Sequence, residues 1–382
     1  MTKQNRVPKK ESEYDVVIVG AGAAGIGCGM VLQDLEVERF IILDRHEVGA
    51  SFRRWPEETR LLTPSFTING FGMPDLNSIA LQTSPAYTLH TEHPTGPQYA
   101  AYLEAIADHF KLPVQCGIDV MDVQPHLNQQ GFTLQTSGGT IDCRYLIWAA
   151  GEFQYPNLTP FPGAELCRHY ATVPSWRKLP DDAYVVIGGY ESGMDTAVNL
   201  ARAGRRVTVL DPTAPWGGDA ADPSLSLSPF TRDRLRRAKK QNLIEFVSAE
   251  VETVTQTSDD RYHVNLSNGE KLLSNQPPIL ATGFNGSLQQ IAHLFEWGEI
   301  GSPIVTKEAD ESTITPRLFL SGPMLRHGNV IFCFIYKFRQ RFAVIGNAIA
   351  EQLGLDTNVL EEYYAAQMYL DDLSCCDVSC AC

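Results

Sequence analysis

Two stretches of this chain carry the same pattern, and that repetition limits its fold more than any other feature. In each, a short apolar run ends at a glycine-rich turn, a helical stretch follows, and a second apolar run stops at an aspartate. The first copy is Asp15–Val19, the turn Gly20–Gly25, a helix to about Leu35, and Phe40–Leu43 closed by Asp44. The second is Tyr184–Ile187, the turn Gly188–Gly193, a helix over Met194–Ala203 closed by Gly204, and Arg206–Leu210 closed by Asp211. Runs this short and this apolar suit parallel strands buried on both faces. Each copy is therefore a βαβ unit. Two of them predict an α/β chain with two Rossmann-like dinucleotide-binding domains, each a three-layer ββα stack, the second inserted in the first.

The first turn reads Gly20-Ala-Gly22-Ala23-Ala24-Gly25. Its first glycine permits a tight strand-to-helix turn, its second lets backbone approach a diphosphate, and its third lets helix pack on strand. A diphosphate there meets the positive end of the helix dipole. Asp44, followed by Arg45, is placed to accept from ribose hydroxyls. The second turn supplies Gly188, Gly189, Glu191 and Ser192 as dinucleotide contacts, with Tyr190 where a glycine is usual. Asp211 there would accept from a free 2′-hydroxyl and repel a 2′-phosphate, favouring NADH over NADPH. The arginines Arg232, Arg234, Arg236 and Arg237 are either a phosphate clamp or, the preferred reading, a solvated helix face.

A formal charge of −14 argues against nucleic-acid and anionic-membrane partners, which reward lysine and arginine. No apolar run reaches the about 18–20 residues of a membrane span. The polar start MTKQNRVPKK lacks a signal peptide's apolar stretch, so a cytoplasmic setting is expected. The organisation expected is a disordered lead-in over 1–13 and a discontinuous first domain over 14–165 and 280–355. A second domain fills 166–279, and a helix with a cysteine-rich tail fills 356–382. Short alternating runs predict a small antiparallel sheet over 114–148. A helix is expected over 335–353 and a final one over 356–370.

Several motifs resemble a family. Glu47-Val-Gly-Ala-Ser51-Phe52-Arg-Arg-Trp55 resembles the segment that wraps the FAD diphosphate and ribityl chain in flavin monooxygenases and their relatives, with Ala50 replacing a glycine. WAAGEF, containing Gly151, and LATGF, containing Gly283, resemble the segments where that superfamily crosses between domains. LFLSGPMLRHG resembles the segment that closes over the flavin, with Gly322 and Pro323 at its turn. The second turn resembles the NAD(P)H segment of thioredoxin-reductase-like enzymes; a domain kept only for its fold is the alternative. Together with FIYKFRQRF (334–342), the order resembles the group of bacillithiol disulfide reductases, thioredoxin reductases and flavin monooxygenases, the bacillithiol branch above all. That resemblance implies FAD, NADH or NADPH as reductant, a homo-oligomer, and a low-molecular-weight disulfide as candidate substrate. The activity expected is hydride transfer from nicotinamide to FAD and then to a thiol-linked or soft-metal acceptor; the alternatives are a flavin-dependent monooxygenase of a small soft nucleophile and a metal-binding protein on a flavoprotein scaffold. The chain departs from it in three ways. The second domain has no CxxC, Ala24 stands where bacillithiol disulfide reductases carry a cysteine, and FxGxxxH is only approximated by Phe161-Pro-Gly163 and His169.

Of nine cysteines, Cys375, Cys376, Cys380 and Cys382 crowd the end of the chain. Three readings stay open for them. They form a redox arm that carries electrons from flavin to a disulfide or other thiol-linked acceptor, a soft-metal site of four sulfurs, or a disordered tail. The flanking carboxylates Asp371, Asp372 and Asp377 oppose thiolate formation. Cys28 is expected in packing; Cys333, just before the helix whose start should lie near the flavin, is either a thiol within electron-transfer reach or, the preferred reading, packed between Phe332 and Phe334. His327 is either a proton donor near the flavin or a loop residue.

Overall fold

The computed structural model describes residues 13–67, 72–218, 220, 222–299 and 301–374. Nearly all of the lead-in expected over 1–13, and the four tail cysteines, lie outside the described residues.

In the first domain β1 (Tyr14–Val19) pairs in parallel with β2 (Phe40–Asp44), Val16 opposite Phe40. β3 (Val114–Cys116) adds outside β2, Ile42 opposite Val114. β4 (Val120–Pro125), β5 (Phe132–Thr136) and β6 (Gly139–Trp148) form an antiparallel meander. β6 is long enough to serve two layers. Its first half pairs with β5, and its second half lies between β1 and the late strand Leu318–Leu320. The antiparallel sheet expected over 114–148 is thus corrected at its start, where β3 belongs to the parallel layer. The reason is the helix Gly96–His109 before it, a crossover that returns the chain parallel to β2. That helix opens with a capping box between Thr95 and Gln98.

The second domain repeats the plan. β7 (Arg168–His169), β8 (Tyr184–Ile187), β9 (Val207–Leu210), β10 (Ile244–Val247) and β14 (Ile279–Leu280) make a parallel sheet in the order β10-β9-β8-β14-β7. β11 (Val251–Gln256), β12 (Tyr262–Leu266) and β13 (Lys271–Ser274) form its meander. Strand parity sorts β8 between two cores. Tyr184 and Val186 pack with Met194, Ala197 and Leu235 on the helix side, whereas Val185 and Ile187 pack with Val254, Val264 and Leu266 on the meander side.

The chain leaves the first domain after β6 and rejoins its core by Leu288 and Ile291, with Trp148 donating to Ser287 at 3.0 Å; Leu318–Leu320 then adds a strand beside β6. The two crossings touch, Pro156 bridging to Phe284. The helix expected over 335–353 is broken into Ile335–Phe338, one tight turn, and Phe342–Leu353. Two arginines at that turn, Arg339 and Arg341, are wholly buried. The final helix covers only Leu360–Ala365, because Gln367 takes a left-handed backbone that an α-helix cannot continue through. No helix among the described residues is long and apolar enough to cross a membrane.

Candidate functional site

The two glycine-rich turns are alike almost atom for atom. Gly20 and Gly188 take φ of 109° and 106°, and a side chain at either would collide with the carbonyl of Ala149 or Ala281. The Asp44 carboxylate accepts from the Ala21 amide at 2.8 Å, as Asp211 accepts from the Gly189 amide at 2.8 Å. In each domain the acid that ends the second strand therefore also fixes the turn.

Both turns border one cavity of about 430 Å³. Of the residues expected to touch a cofactor, it is lined by Gly20, Gly22, Ala23, Ala24, Asp44, Ser51, Phe52, Gly151, Glu191, Ser192 and Pro323. Gly25 lies behind the turn, packed on the Gly20 carbonyl, and Gly322 lies against Ala24. Arg45 sits beside the cavity with its guanidinium on Gln154. Gly188, Gly189, Asp211 and Gly283 do not face the cavity. Gly283 spends its carbonyl on the Asn157 amide and the His169 ring. Asp211 is buried, its second oxygen accepting from the Thr213 amide and hydroxyl. Asp211 thus already accepts three hydrogen bonds from its own chain.

The first turn fits FAD. A Cβ added at Gly22 would meet nothing within 4 Å, so the cradle before the helix N-terminus is open where a diphosphate needs backbone approach. Gln154, which the sequence did not single out, organises the rim: its carbonyl oxygen accepts from Arg45 and Arg54, and its amide donates to Ser51 at 3.0 Å. Phe52 is fixed edge-on against Tyr99 at 4.8 Å.

Two groups on the cavity wall have chemical potential that the motifs do not reveal. The Glu152 carboxyl has no hydrogen-bond or ion-pair partner among the described residues. Burial raises it above the usual range, opposed by the charge of Arg326. Of the two readings of Cys333, packing is overturned: the residue is exposed on the cavity wall, where the alternative reading put its thiol. Its thiol donates to Ser224 Oγ at 3.3 Å, and Ser224 Oγ accepts from Lys337 at 2.7 Å. Burial still pushes that thiol up, with the Ser224 contact opposing. Cys28 is in packing as expected, donating to Ser321 at 3.3 Å, and burial pushes it up to about 12.

His327 is neither a proton donor at the cavity nor a free loop residue. It is buried, with Nε2 at 2.6 Å from Asp310, which also holds Arg341. The basic helix Pro229–Lys239 divides its arginines. Arg234 turns inward to Asp195 at 2.7 Å, whereas Arg236 and Arg237 pair with Asp233 outside. Among the described residues, no group of three or more His, Cys, Asp or Glu side chains is placed to hold a metal ion.

Comparison with known proteins agrees with this architecture. A family model described as pyridine nucleotide-disulphide oxidoreductase matches residues 17–322. The uncharacterized oxidoreductase CzcO of Bacillus velezensis is 30% identical over 212 residues, 52% of this chain and 54% of that relative. The chain thus spans about half the length of that relative. Bacilliredoxin reductase Bdr of Bacillus subtilis is 24% identical over 343 residues, 88% of this chain and 97% of Bdr. The solved structure of the bacillithiol disulfide reductase Bdr (YpdA) from Staphylococcus aureus covers 90% of this chain and 99% of its own. It does so with a TM-score of 0.73 and 22% identity, a likeness of fold.

Proposed function

Because the chain belongs to the pyridine nucleotide-disulphide oxidoreductase family, we propose that it carries electrons from a reduced nicotinamide, by way of FAD, to a thiol-linked acceptor. That it is an FAD-dependent pyridine nucleotide oxidoreductase follows from the family; the acceptor is our reading. The observation that supports it is the shared cavity, which both dinucleotide turns border, so that a donor bound at one and a flavin bound at the other would meet in one space.

Bound FAD supplies the redox chemistry, and the protein supplies position and electrostatics. The amides at the start of the helix after Gly22 would hold the diphosphate. Asp44, already fixed by the Ala21 and His46 amides, offers its remaining lone pairs to the ribose. Glu152 presents to the cavity a carboxyl whose burial raises its proton affinity, a group placed to supply a proton to a departing thiolate. Cys333 places a thiol on the same wall. An acceptor of disulfide type suits that pair, since cleaving its S–S bond consumes electrons and protons together. The tail cysteines Cys375, Cys376, Cys380 and Cys382 are proposed as the arm that passes those electrons outward.

The test compares the full chain with a form truncated after Leu373, both loaded with FAD. Flavin reduction by NADH or NADPH is expected to be the same in the two, and turnover with disulfide acceptors to be lost in the truncated form. Equal turnover in both would remove the arm from the account.

A further inference from the structure

The likeness of the two turns isolates one difference. Gly22 and Tyr190 hold the same place, each the residue that opens the helix, with φ and ψ of −85° and −167° at Gly22 and −82° and −160° at Tyr190. With the same backbone, the two residues point Cβ in the same direction relative to their helix. At Gly22 that direction is open space, the approach that a diphosphate uses. At Tyr190 it carries a phenol ring, 45% exposed, on the wall of the shared cavity beside Glu191 and Ser192.

The rest of the second turn is closed by its own chain. A Cβ at Gly189 would lie 2.8 Å from the Trp216 ring and 3.1 Å from Pro215, so these two residues press on the turn. Asp211 beneath them is fully engaged. Glu191 is held by the Ser228 amide and the Thr231 hydroxyl. The Tyr190 ring, by contrast, makes no hydrogen bond and no ring contact among the described residues. Unlike Glu191 and Asp211, it is held in place by no hydrogen bond.

We propose that Tyr190 is the residue that sets nicotinamide affinity in this protein: its ring stands on the diphosphate seat of the second turn and must swing aside before a dinucleotide binds. The work of displacing it is subtracted from binding, so affinity for both NAD(H) and NADP(H) is lowered together. The proposal rests on the reading that a nicotinamide dinucleotide uses the second turn, and it adds what limits that use. Replacement by glycine is compatible with the backbone here, which is extended, and removes no hydrogen bond or ring pair.

The experiment titrates FAD-loaded protein with NAD+ and NADP+, oxidised forms that bind without turnover, and reads heat and flavin absorbance. Tyr190→Gly is expected to bind about tenfold more tightly than the parent, and Tyr190→Phe to match the parent. Unchanged FAD content and circular dichroism confirm the fold. Weaker or unchanged binding by Tyr190→Gly would overturn the proposal, as would weakened binding by Tyr190→Phe, which would make the hydroxyl a contact. Reduction by NADPH or NADH separates the two readings. A Tyr190→Gly protein that is reduced but binds no tighter sinks only the Tyr190 assignment, whereas absence of both binding and reduction sinks the use of the second turn as well.

Discussion

At Gly22 the missing side chain is the functional feature, and its neighbour Gly25 differs in what a mutation would break. Gly22→Val places methyls into open space, in a backbone that valine adopts freely, so the protein should fold. It should lose FAD affinity by at least roughly tenfold, about 1.4 kcal/mol, measured by cofactor retention and titration. Gly25→Ala drives a methyl into the Gly20 carbonyl, and should lower the melting temperature as well as the colour. Equal FAD affinity in Gly22→Val would mean that no diphosphate comes near that turn. Positions such as Gly20, Gly22 and Asp44 were legible because strand, turn and acid are read from one continuous stretch. Glu152 and Gln154 were not, and Cys333 was legible only as the alternative to packing. They come from segments without a clear period and reach the cavity only through the chain crossings and the late return of the strand Leu318–Leu320. Asp211 was legible as a position but not as a role, since its bonds to Thr213 depend on how the following loop folds back.

At the scale of elements, the parallel strands and their helices follow from apolar runs and caps, and the sequence placed them within a few residues. What it could not reveal was where buried charge interrupts a helix. Arg341 forks onto Asp310 at 2.9 and 2.8 Å, and His327 completes the cluster at 2.6 Å, all three buried. This joins the return of the chain after Leu318–Leu320 to the helix Phe342–Leu353, with Arg341 also donating to the Lys307 carbonyl at 2.7 Å. Taking away one member strands the opposite charge in a dry site. Arg341→Met should therefore cost about 3–5 kcal/mol in denaturant unfolding. A loss below about 1 kcal/mol, the range of exposed pairs, would show that the cluster is solvated. A helical period over FRQRF cannot announce such a partner, because Asp310 lies in a loop without regular structure.

For the whole molecule, the insertion of one dinucleotide fold in another explains why both turns reach the same cavity. The two halves are also tied by a buried polar hub. Asp195, on the helix that opens at the second turn, accepts from Thr59 of the first domain at 2.7 Å, and from Tyr170 and Arg234 of its own. The acid was visible in the motif, yet its partner Thr59 belongs to a proline- and threonine-rich stretch with weak periodicity. The architecture as a whole was legible from the repeat of the βαβ unit, since each copy states its own sheet and the spacing states the insertion. The account stands most directly on electron entry. Anaerobic mixing of the FAD-loaded protein with NADPH and with NADH, followed by visible flavin absorbance, should bleach the oxidised flavin fully with at least one of them. Protein that keeps its FAD and is reduced by neither nucleotide would contradict it.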